Sequence, residues 1–175
     1  MEFIDLSNKD SVKLIDDIVL YPLKINRDSS GVLVETLRKD WPEIYGPDRE
    51  FSMQYYSITP QGVARDEGVW HYHPHQEDRF LIAKGEIITA VAKDNLLNLF
   101  RMRADKDPYI LLIPKQTLHG FMVVSKEEAI LLNYPTALYS PNEEGRIPHD
   151  KANVKFPDGS FFTWQKVRQE LSKNG

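Results

Sequence analysis

The sequence predicts an all-β sandwich or barrel carrying one short C-terminal helix. Three observations predict it. Short apolar and β-branched runs recur along the chain, each bounded by Pro, Gly, Asn or Asp, which is the pattern of many strands joined by turns. Histidines stand at alternate positions, His71, His73 and His75, ahead of the apolar run Phe80-Leu81-Ile82-Ala83. Residues i and i+2 of a strand share a face, so His71 and His73 point the same way, into whatever the sheet encloses, and Pro74 ends that strand. Finally, Trp164, Val167 and Leu171 recur at helical spacing behind Ser160 or Thr163 as N-cap, which makes 160–173 a helix. That helix is expected to cover a mouth or an edge of the barrel.

In order, residues 13–26 hold short β-rich runs broken at Asp16-Asp17 and Pro22, and 31–37 form a strand after an Asp-Ser-Ser-Gly turn. Residues 40–50, with two prolines and a glycine, are a loop. Residues 51–58 form a strand with Phe51, Met53 and Tyr55 on one face and Ser52, Gln54 and Tyr56 on the other. An extension at 65–68 leads into the histidine strand. Residues 79–92 are two strands around Lys84-Gly85-Glu86, with Asp78, Phe80 and Ile82 on one face of the first. Strands follow at 97–102, 109–114, 118–124 and 129–134, then a loop at 140–150.

A chain of 175 residues, 41% hydrophobic, can bury its own core as a single domain over 1–175. The net charge of −4 argues against a nucleic-acid partner. Without cysteine there is no disulfide, thiolate metal site or thiol nucleophile. The opening MEFIDLSNKD lacks the basic-then-apolar pattern of a signal peptide, and no apolar run approaches the ~20 residues of a membrane span. A cytoplasmic protein with no membrane partner is expected.

His71-Tyr72-His73, an acid at 77 or 78 and Gly85, paired with Pro114 and, five residues on, His119-Gly120, resemble the two motifs of the cupin superfamily. Within it, Ile113-Pro114, His119-Gly120-Phe121, Val124-Ser125 and Glu128-Ala129 resemble the central signature of the dTDP-4-dehydrorhamnose 3,5-epimerase family. Thr136, Tyr139-Ser140-Pro141, Glu144, Ile147 and Asp150 continue it, and Val154, Phe156 and Pro157 resemble its closing element. Earlier in the chain, Gly31 and Glu35, Gln54 and His71-Tyr72 fit.

The resemblance implies a cupin-type jelly-roll barrel, a homodimer with swapped N-terminal strands, a nucleotide-sugar substrate and no metal or other cofactor. It makes His71 the base that removes the proton α to a 4-keto group and Tyr139 the acid that returns one from the opposite face. His119 lines the pocket, and Glu35, Gln54, Arg65 and Arg79 contact substrate. The chemistry is sound: histidine has the pKa such a base needs, and the enolate needs a positive or hydrogen-bonding partner.

Four positions depart from the family. Its enolate-stabilising lysine falls at Asp78, or at Arg79 with a shift of one; its arginine three residues before the base is Gly68 unless Arg65 substitutes; its early turn arginine is Ser30; its C-terminal Ser-x-x-Asp, which partners the base, is missing. The rival reading is a metal-binding cupin: His71, His73, Asp78 (or Glu77) and His119 make a three-histidine, one-carboxylate set for one divalent transition metal. It would be a dioxygenase, a metal-dependent isomerase or a small-molecule-binding module. Lys84 is expected to be solvated, His75 and His149 to lie at the surface, and Trp41, Trp70 and Trp164 to be buried.

Overall fold

The structure, a computed structural model, describes residues 1–141 and 144–173. Its strands are β1 (Val19–Pro22), β2 (Ile25–Asp28), β3 (Gly31–Val34), β4 (Tyr55–Thr59), β5 (Val69–Tyr72), β6 (Asp78–Lys84), β7 (Glu86–Lys93), β8 (Leu96–Arg103), β9 (Tyr109–Ile113), β10 (Leu118–Val123), β11 (Ala129–Asn133) and β12 (Gly145–Pro148). The helix α1 spans Trp164–Lys173. One five-stranded antiparallel sheet runs β1-β9-β6-β11-β4, and the second runs β12-β5-β10-β7-β8. β2 and β3 form a separate hairpin. This is the cupin-type jelly roll.

Three apolar layers hold it together. Between the sheets lie Phe80, Ile82, Phe100, Leu111, Phe121 and Leu131. On the outer face of the first sheet, Leu81, Ile110 and Leu112 pack against Leu23, Ile44 and Trp41 from the N-terminal loops. On the outer face of the second, Trp70, Ile88, Ala90 and Met122 pack against Phe156, Phe162, Trp164 and Val167. The central strands are therefore buried on both faces, which is why β9 reads as a continuous apolar run rather than an alternating one.

β6 and β7 are consecutive but do not pair; the chain changes sheets at Gly85, where φ is +79° and a Cβ would stand 2.7 Å from Ser125 Oγ. Four local expectations are corrected. Residues 51–54 lie outside β4, tied by Ser52 to the carbonyls of Pro135 and Thr136, both at 2.8 Å. Residues 65–68 turn rather than extend, with positive φ at Asp66 and Gly68. The loop expected at 140–150, of which 142–143 lie outside the described residues, contains β12, which pairs with the histidine strand β5. The helix covers the outer face of a sheet, not a mouth or edge of the barrel; Thr163 Oγ1 caps it, accepting from Lys166 N at 3.2 Å.

Candidate active site

Between the sheets a cavity of about 560 Å³ opens to solvent, a size suited to a small-molecule ligand. β5 and β10 bring His71 opposite His119 in register, and β12 brings Arg146 opposite His71 from the other side. The opposing sheet supplies Asp78 and Phe80 from β6, Leu131 from β11, and Tyr55 and Ser57 from β4. Tyr139 and Arg65 stand at the rim, both exposed.

His71 is set between two carboxylates. Its Nδ1 is 2.8 Å from Glu144 Oε1, and its Nε2 is 2.9 Å from Asp66 Oδ2. The second contact is close but misaligned, so Nε2 is buried without a well-directed hydrogen bond. Glu144 is steadied by Arg146, whose Nε and Nη2 donate to Oε1 at 3.0 and 2.8 Å. A carboxylate on Nδ1 fixes the tautomer and leaves Nε2 as the basic nitrogen. The C-terminal Ser-x-x-Asp is missing from this chain, and the carboxylate on His71 comes instead from the residue just before β12.

Deeper in, Asp78 is buried and fully engaged. Its Oδ1 accepts from Gln76 Nε2 at 2.8 Å and Asn133 Nδ2 at 2.7 Å. Its Oδ2 lies 3.4 Å from both His73 Nε2 and His119 Nε2. His119 donates from Nδ1 to the Thr117 carbonyl at 3.0 Å. Burial lowers the His119 pKa, opposed by the Asp78 charge. Tyr55 Oη accepts from Asn133 Nδ2 at 2.9 Å, and its pKa is pushed up to about 12, by burial first and then by Asp78.

Several expected positions fall elsewhere. Arg79 faces away from the cavity and is fully buried, donating to the carbonyls of Ile44 (2.6 Å), Tyr134 (2.8 Å) and Arg49. Adjacent strand residues point to opposite faces, so with Asp78 inward Arg79 must face outward, and it leaves the substrate-binding set. Glu35 is exposed beyond β3 and pairs with Arg38 at 2.8 Å, and Gln54 is exposed outside the cavity lining. Glu77 pairs with Arg49 at 3.3 Å.

The four-ligand metal set is not assembled. Among the described residues, His73, Asp78 and His119 bring ligand atoms within 4.8 Å of one another, and His71 stands apart with its own carboxylates. Those three could hold a cation. His75 and Lys84 are exposed or half-exposed, and Trp70 and Trp164 are buried, while Trp41 is only half-buried against Tyr21. His149 is not at the surface: it is buried between Trp70 and Phe162.

Sequence reasoning assigned no role to Asp66, Gln76, Asn133 or Tyr55. Glu144 was visible as part of the resemblance, but its contact with His71 needs the pairing of β12 with β5.

The two-sheet jelly roll with a histidine- and carboxylate-lined cavity defines the architecture, and comparison identifies the family. The sequence model of dTDP-4-dehydrorhamnose 3,5-epimerase matches residues 13–173, and the chain belongs to that family. It is 38% identical over 147 residues to the probable low-salt glycan biosynthesis epimerase of Haloferax volcanii, covering 78% of this chain and 89% of that one. The fold is similar to that of a dTDP sugar isomerase from Desulfovibrio desulfuricans G20, with a TM-score of 0.72 at 18% identity, covering 85% and 95% of the two chains. It is also similar to that of a dTDP-6-deoxy-D-glucose-3,5-epimerase from Legionella pneumophila in complex with dTDP-4-keto-L-rhamnose, with a TM-score of 0.68 at 22% identity, covering 83% and 81%.

Proposed function

We propose that this enzyme, a nucleotide-sugar epimerase, acts on a dTDP-4-keto-6-deoxyhexose and inverts C3, C5 or both. His71 Nε2 takes the proton from the carbon next to the ketone, giving an enolate and an imidazolium. Glu144 holds Nδ1 and stabilises that imidazolium as it forms. Asp66, at the rim side of the ring, gives way to the sugar. Tyr139 protonates the carbon from the other face, and His119 shapes the floor. Arg65 at the mouth meets the pyrophosphate.

The observation that supports this reading is the His71 ring in the cavity lining, with Nδ1 on Glu144 and Nε2 beside Asp66, the side chain that the sugar would displace. No catalytic step in it requires a cofactor.

Glu35 and Gln54 lie outside their own chain's cavity, and the β2–β3 hairpin exposes Val32 and Leu33. A homodimer in which that hairpin crosses to the partner accounts for both, and we assign the enzyme that form, as a single jelly-roll domain acting in the cytoplasm.

Incubation with dTDP-4-keto-6-deoxyglucose in D2O tests the reaction. Deuterium is expected to enter at C3 or C5, and His71→Asn is expected to stop it. Normal incorporation by His71→Asn removes His71 as the base.

A further inference from the structure

Of the two positions to which the resemblance assigns the family's lysine, Arg79 faces away from the cavity and Asp78 brings no positive charge, yet an enolate oxygen still needs a donor. The cavity floor is wired so that only certain groups can supply one. The backbone N–H of Arg79 donates to Asn133 Oδ1 at 2.9 Å, which fixes the orientation of that amide. Its Nδ2 therefore faces Asp78 and Tyr55, giving one hydrogen to Asp78 at 2.7 Å and the other to Tyr55 Oη at 2.9 Å. Tyr55 Oη is thus an acceptor in this chain, and its own proton has no acceptor among the described residues. His119 is already occupied: its Nδ1 hydrogen goes to the Thr117 carbonyl and its Nε2 faces Asp78 Oδ2 at 3.4 Å. Asp78 itself is fully engaged by amides and imidazoles.

We propose that the Tyr55 hydroxyl is the hydrogen-bond donor to the enolate oxygen, taking the part of the missing lysine. This rests on the epimerase reading above. The phenol lines the same cavity as His71 but comes from the opposite sheet, so base and donor flank the sugar. Burial and the neighbouring Asp78 charge keep it protonated far above neutral pH, so it donates without transferring its proton. Asn133 strengthens it, because a phenol that accepts a hydrogen bond donates a better one. Asp78 is then a positioning residue: it holds Asn133, and through it the hydroxyl.

The test is Tyr55→Phe, which keeps the ring and removes only the donor. Solvent-deuterium incorporation into dTDP-4-keto-6-deoxyglucose should fall by ~10²–10³ in kcat, the loss typical of one oxyanion donor. KM and the affinity for dTDP alone should stay within about twofold. Incorporation within threefold of wild type, with His71→Asn inactive, overturns the donor and leaves the base standing. A wild-type enzyme that incorporates no deuterium overturns the base reading, and the donor with it. Replacing Tyr55 by 3,5-difluorotyrosine gives a second readout should the phenylalanine variant bind dTDP poorly. Fluorine lowers the phenol's pKa, and an ionised phenol cannot donate. The alkaline limb of the incorporation rate should therefore move to lower pH, whereas an unmoved limb overturns the proposal.

Discussion

Replacing Glu144 by Gln isolates the carboxylate on Nδ1 of His71, the proposed base. The shape is kept, so Arg146 and β12 stay where they are, and what changes is the charge on Nδ1 of His71. A ring that acts as the base is neutral before it takes the proton and an imidazolium 2.8 Å from that charge afterwards. The interaction is therefore worth more in the transition state than in the ground state, which is the condition for it to raise kcat. With the two charge centres ~4 Å apart, near a protein surface, two unit charges attract by ~4 kcal/mol. The Arg146 guanidinium on the same oxygen, and side chains still 17% and 18% exposed, roughly halve it to ~2 kcal/mol. A loss of ~30-fold in deuterium incorporation is expected, with dTDP affinity unchanged. Asp66→Asn, on the misaligned side of the ring, is expected to cost less than about threefold, because Nε2 must leave Asp66 to meet substrate. Full activity in Glu144→Gln together with collapse in Asp66→Asn refutes the reasoning, since it would mean that Nδ1 faces the sugar.

Four further outcomes follow from the same coordinates. Gly145→Ala would drive a Cβ into the Tyr72 ring, so the melting temperature should drop by several degrees, as overpacking of ~1–3 kcal/mol implies, and incorporation should fall as Glu144 shifts with β12. Arg79→Lys leaves buried carbonyls unpaired and should lower urea stability by ~2–4 kcal/mol while dTDP affinity, read by calorimetry, is unchanged. Burial holds His149 below its unfolded pKa of about 6.5, so below that pH the unfolded chain binds a proton that the folded one resists. Stability is full above that value and lost as the pH falls through the folded one, and melting should drop more between pH 7.5 and 5.5 in wild type than in His149→Gln. Dialysis against a chelator should leave deuterium incorporation at its original rate; a loss restored only by a divalent metal would assign His73, Asp78 and His119 to that metal.

The elements legible in the sequence were those whose periodicity or punctuation is local. β6 to β11 announce themselves as apolar runs between turn residues, and the helix as Trp164, Val167 and Leu171 behind Thr163. β12 did not, because Gly-Arg-Ile-Pro has neither length nor apolar alternation and becomes a strand only by pairing with β5. The same missing pairing hid the partner of His71. His149 looked like a surface residue because its burial depends on Phe162, thirteen positions further on, folding back over Trp70.

Arg79 shows how a face decides function. Counting back from Gly85 left two candidates for the lysine position, and composition favours the arginine, the cation an enolate wants. The pleat decides otherwise, because Phe80 and Ile82 are core residues of the inner layer, which places Asp78 inside and Arg79 among loop carbonyls. An inward carboxylate would repel an enolate if its charge were unshared. Here four groups surround it: two amides on one oxygen and two imidazoles facing the other. The acid at this position is thus converted from an obstacle into the anchor of a neutral donor array. On the proposed reading, enolate chemistry persists in this chain without the cation because Asn133 and Asp78 aim the Tyr55 hydroxyl at the oxygen.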